Sequence, residues 1–105
     1  MAKKKIVWSV RAQQDRLEIL EYWINRNKST TYSEKLFKLF KESAALISEH
    51  PEIGKPTDIA GIRIKIVRDY LMIYQEQATQ IDILLIWDSR KDPEELDEFI
   101  KKEIP

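Results

Sequence analysis

The stretch from Gly61 to Lys91 (GIRIKIVRDYLMIYQEQATQIDILLIWDSRK) constrains this chain more than any other. Isoleucines at 62, 64 and 66 alternate with Arg63, Lys65 and Val67, which predicts a strand with one buried face and one facing solvent or a ligand. Arg68-Asp69 reads as a tight reversal, with Asp69 the residue suited to a left-handed conformation. Tyr70–Gln75 reads as a second strand and Glu76–Gln80 as a polar turn. The almost wholly apolar Ile81–Trp87 reads as a strand covered on much of both faces. Such a meander cannot stay exposed. The rest of the chain must cover it.

The residues before Gly61 read as that cover. Lys5–Trp8 (KIVW) is a short first strand, and Ser9 sits where its hydroxyl can cap a helix. From Val10 to about Asn27 the periodicity is helical, with Ala12, Leu17, Ile19, Leu20, Trp23 and Ile24 on one arc. Asn25–Ser29 interrupts it with turn-forming residues. Thr31-Tyr32-Ser33-Glu34 fits a capping box opening a second helix to about Glu49. Tyr32, Leu36, Leu39, Phe40, Leu46 and Ile47 share its apolar face, with Phe37 and Ala44 at the edge. His50-Pro51 ends it, because proline disfavours helical geometry in the residue before it. Pro51–Ala60 reads as a loop. Asp92-Pro93-Glu94-Glu95 then starts a closing helix, with Leu96, Phe99, Ile100 and Ile104 as its stripe.

The expected fold is α+β in the order β-α-α-β-β-β-α, a helical hairpin packed on a small antiparallel sheet with a short C-terminal helix. At 105 residues it makes a single domain, 1–105. Lysine plus arginine and aspartate plus glutamate both number 18, so the chain lacks the basic excess of a dedicated nucleic-acid binder, although a local basic patch remains open. The absence of cysteine excludes disulfides and thiol catalysis. The apolar run after Lys3-Lys4-Lys5 is too short for a signal peptide and no run reaches membrane-spanning length, so no membrane partner is expected.

Few side chains remain for chemistry. One histidine and no cysteine cannot make a standard zinc site, and two glycines leave no phosphate-cradling loop, so neither a metal nor a cofactor is expected. Arg63 and Lys65 project from one side of a strand, Arg68 follows at the turn, and Arg90-Lys91 leave the last strand. With Tyr70, Met72 and Tyr74 these residues suggest a basic surface with aromatic edges, suited to a phosphate backbone and a stacked base. The plainer alternative is a solvated sheet face whose charges discourage aggregation.

Four segments together resemble the RelE/ParE superfamily of bacterial type II toxins: IVWSVRAQQDRLEILEYW, ISEHPEIGKP, GIRIKIVRDYLMIY and ILLIWDSRKDPEEL. The resemblance implies a small cytoplasmic toxin neutralised by a cognate antitoxin and active in growth inhibition and plasmid stabilisation. It admits two activities, binding of DNA gyrase in ParE-like members and cleavage of ribosome-bound mRNA in RelE-like ones. The RelE-type catalytic set falls on Arg63, Lys65 and Arg90 (or Lys91), but its next-strand arginine falls at Leu71 and its C-terminal tyrosine near Leu96. Cleavage would further need a base, and only Lys65 or Tyr74 is available. The ParE-like branch is therefore the expectation, with the ribonuclease and an inactive, antitoxin-binding relative as alternatives.

Overall fold

A computed structural model describes residues 3–103; Ile104, expected in the last apolar stripe, lies outside them. The chain runs β1 (Lys5–Trp8), α1 (Val10–Asn27), α2 (Thr31–Glu49), a 3-10 turn (Pro51–Ile53), β2 (Lys55–Pro56), β3 (Ile62–Val67), β4 (Tyr70–Glu76), β5 (Gln80–Asp88) and α3 (Pro93–Glu103). The three strands of the meander pair antiparallel, as their short connections require.

The sheet is wider than the meander, in the order β1-β5-β4-β3-β2. Two features depart from expectation. Lys55–Pro56, read as loop, pairs with Ile64 and Arg63 at the sheet edge, where a proline lacking its N–H is tolerated. β1 lies parallel to β5, from Lys5 opposite Gln80 to Trp8 opposite Ile83, so the sheet is mixed. Apolar periodicity reports which face is buried and carries no information on strand direction.

Two cores sandwich the sheet. The α1–α2 hairpin covers one face, burying Ala12, Leu36, Phe40 and Ile47 against Met72, Tyr74, Ile81 and Ile83, all with no exposed surface. α3 covers the other, with Leu96 and Ile100 against Ile62, Ile73, Leu85 and Trp87. Each such burial stabilises by about 1.5–3 kcal/mol before entropy is counted. A bulge between Ile73 and Tyr74 leaves Leu84 unmatched, so Ile73 faces Leu85 and Tyr74 faces Ile83. It shifts the phase of β5, and Ile83 and Ile86 both reach the hairpin side.

Local chemistry fixes the joints. Ser9 Oγ accepts from the Ala12 amide at 2.9 Å and donates to the Leu84 carbonyl at 2.7 Å, joining a helix cap to the sheet. Asp92 Oδ1 accepts from the Glu94 amide at 2.9 Å, as a cap should. The expected capping box at Thr31 is displaced. Thr30 is the N-cap and makes no side-chain cap bond; Ser29 Oγ accepts from the Thr31 amide, and Thr30 Oγ1 donates to Glu34. Left-handed Lys28 (φ 54°) closes α1 and sets this start. In the β3–β4 reversal it is Arg68 (φ 58°), not Asp69, that is left-handed. Val67 pairs with Tyr70, which leaves a two-residue loop whose first position takes the positive φ.

Candidate functional site

The register places the sequence-predicted cations. Arg63 lies opposite Tyr74 and Lys65 opposite Met72, and opposed residues share a face. Both side chains therefore point toward the hairpin side, at the margin the helices leave half-covered. Tyr70, Met72 and Tyr74, expected to edge an open basic surface, are instead core beneath the helices.

Arg63 ties the preceding turn to the sheet. Its Nη1 donates to the carbonyls of Gly54 at 2.8 Å and Glu52 at 3.2 Å. Tyr74 works beside it, donating from its hydroxyl to the Pro51 carbonyl at 2.7 Å and accepting from the Gly54 amide at 2.8 Å. Burial pushes the Tyr74 hydroxyl pKa up, the wrong direction for a general base. Among the described residues, Lys65 Nζ reaches only the Ile66 carbonyl, at 3.4 Å.

Arg90 lies elsewhere. Arg63 is level with Tyr74 and Ile83, whereas Arg90 follows Asp88, which is level with Tyr70 and Val67. That is roughly 13 Å along the strands and about 9–10 Å across two strand spacings. The three cations do not converge. Arg90 instead forks onto Asp88, with Nε to Oδ1 at 3.0 Å and Nη2 to Oδ2 at 2.8 Å. Its guanidinium holds the Asp88 carboxyl below the ordinary range, and the arginine pKa is raised in turn. Leu96, on α3, is buried in the core beneath that helix, Leu71 packs half-buried against the same core, and neither presents anything polar.

Asp88 and Arg90 line a cavity of about 350 Å³ between α1 and the ends of β4 and β5, with Asp15, Glu18, Tyr22, Tyr70 and Lys91. Most of its polar groups are already satisfied. Asp15, 8% exposed, accepts from the Ile86 amide at 3.1 Å and from Arg11 Nε at 2.8 Å. The Tyr70 hydroxyl accepts from Trp23 Nε1 at 2.8 Å, and burial raises its pKa.

A different surface is left unfilled. Leu17, Ile24 and Phe37, expected on the buried arcs, are 57%, 36% and 41% exposed. They belong to two joined depressions on the outer side of the hairpin, of about 380 and 540 Å³, which share Leu17, Leu20 and Phe37. Glu21 and Glu34 flank one end, and Arg16, stacked at 4.4 Å over Trp8, flanks the other. Sequence reasoning expects a helical hairpin on a small sheet to leave a groove or a free strand edge for a partner and does not place the groove, although the width of both apolar arcs was a signal: an arc wider than one sheet can cover leaves a second stripe outside.

Among the described residues, no group of three His, Cys, Asp or Glu side chains is placed to hold a metal ion, and no helix is long and apolar enough to cross a membrane. A helical hairpin over one face of a mixed five-stranded sheet, with a single helix over the other, is a small three-layer α+β domain. A family model described as the ParE toxin of type II toxin-antitoxin system, parDE, matches residues 6–93, and the chain belongs to that family, within the RelE/ParE superfamily. The fold is similar to a chain of the "Chromosomal ParDE TA system from P. aeruginosa", with a TM-score of 0.72 at 16% identity over 82% of this chain and 96% of that one. No curated protein matches the sequence.

Proposed function

We propose that this toxin acts in the cytoplasm by binding DNA gyrase, that it does not cut RNA, and that a cognate antitoxin neutralises it. The observation that carries the choice of binding over cleavage is the separation of Arg63 and Lys65 from Arg90. Phosphoryl chemistry needs charge, base and acid around one phosphate. Here Arg63 and Tyr74 are engaged with the Pro51–Gly54 backbone, Leu96 is core, and Leu71 packs apolar and half-buried against it. Growth inhibition, and any part in plasmid stabilisation, would follow from poisoned gyrase. Purified protein should inhibit gyrase supercoiling and trap cleaved DNA, while mRNA on ribosomes programmed with an empty A site stays intact. Cut mRNA with untouched gyrase would reverse the assignment and return Arg63, Lys65 and Arg90 to a catalytic role.

The apolar groove on the hairpin supports antitoxin binding. From Val10 to Ile24 it follows α1 for about 21 Å, enough for four turns of an amphipathic helix. The flanking charges favour a partner helix with basic residues toward Glu21 and Glu34 and acidic ones toward Arg16. Leu17→Asp with Phe37→Asp should weaken antitoxin binding by at least about 2 kcal/mol in calorimetry while leaving the fold intact, because both side chains are exposed in the free toxin.

A further inference from the structure

Net neutrality hides a local imbalance of charge. α3, on one side of the sheet, carries Glu94, Glu95, Asp97 and Glu98 in its first turns and Lys101 and Lys102 in its last, all exposed. On the hairpin side, where α2 meets the β3–β4 turn, cations collect instead. Lys35, Lys38, Leu39, Glu42 and Arg68 line a notch of about 230 Å³. Lys38 makes a loose pair with Glu42 at 3.9 Å, with both side chains largely in solvent. Lys35 and Arg68 make no ion pair among the described residues, nor does Lys65, which lies on the same sheet face three residues before Arg68. The notch thus holds three cations against one carboxylate, with Asp69 beside it in the turn.

Arg68 is the unexpected member. It occupies the first position of a two-residue hairpin loop at φ 58°, a place where glycine is the usual occupant. A long charged side chain kept in left-handed backbone is the kind of outlier from which function is inferred. The turn itself gains nothing from arginine. What arginine adds is a planar fork that lines the same notch as the α2 lysines and matches phosphate oxygens.

We propose that this notch binds the phosphate backbone of a nucleic acid, with Arg68 forked on one phosphate, Lys35 and Lys38 on its neighbours, and Lys65 extending the path. The site lies away from the groove on the outer face of the hairpin and from the Arg90–Asp88 cavity, and it stands independently of the gyrase and antitoxin readings, since it requires neither partner.

The test is fluorescence anisotropy of the purified protein with short labelled DNA and RNA duplexes across a series of salt concentrations. Binding should appear at low salt and fall with a log–log slope of about −3 to −4, the value for roughly three to four phosphate contacts. Arg68→Gly suits the turn and so keeps the fold, which a thermal melt will verify; it should weaken binding about tenfold and reduce the slope by about one. Lys35→Glu with Arg68→Glu should abolish binding, and Lys101→Glu on α3 should leave it unchanged. Tighter binding of either duplex names the source and supports the site, provided that Arg68→Gly weakens it. The proposal is overturned if neither duplex binds, or if Lys101→Glu weakens binding as much as Arg68→Gly.

Discussion

At Gly54 the chain passes so close to Tyr74 that a Cβ there would lie 2.5 Å from the tyrosine Oη and 2.7 Å from Cε1. Its φ of −73° is ordinary, so the glycine is needed for space and not for conformation. The ring is fully buried and its hydroxyl is held by Gly54 and Pro51, which leaves it little room to yield. Gly54→Ala should therefore destabilise the protein by about 1–3 kcal/mol, read as a lower urea midpoint with an unchanged m-value. The same corner explains why Arg63 was only half legible in the sequence. Alternation along β3 placed it opposite the isoleucines correctly. Its partners are backbone carbonyls nine and eleven residues upstream, and a carbonyl has no signature in a sequence.

Among the elements, α1 depends on one side chain that periodicity does not flag. Asp15 lies one turn from Ala12 and Ile19, on the face that meets the sheet, and accepts from the Ile86 amide. β1 ends opposite Ile83, so the edge of β5 beyond it has no strand partner, and the carboxylate stands in for one. Asp15→Ala leaves that amide without its partner and should cost about 1–3 kcal/mol, whereas Asp15→Asn keeps an acceptor and should cost less. Hydrogen exchange at Ile86 would separate the two, fast in the first variant and protected in the second. The helices and the meander were legible because each spans several periods of its pattern. β2 was not, because two residues including a proline contain no period at all. The position of the groove on the hairpin was hidden for another reason: an apolar arc reveals how much surface avoids water, not how much of it this chain covers.

For the whole molecule, charge and burial set a window of stability in pH. Tyr70 and Tyr74 have pKa values raised chiefly by burial, so the folded state resists ionising them. Between their ordinary value of about 10 and their raised folded values, the native protein holds protons that the unfolded chain has released. Their contribution is complete below about pH 10 and is lost as pH rises through the folded values. Thermal melts should therefore fall steeply above about pH 10, and Tyr74→Phe should flatten that fall. The pairing of β1 with β5 has a consequence in time as well as in space. Ser9 is bonded to Leu84, 75 residues further along the chain. At about 5–20 residues per second, roughly 4–15 seconds of synthesis separate the two. The sheet that carries every surface described above cannot close until the last strand has left the ribosome, and a chain whose translation stops short is released without the strand that joins β1 to the meander.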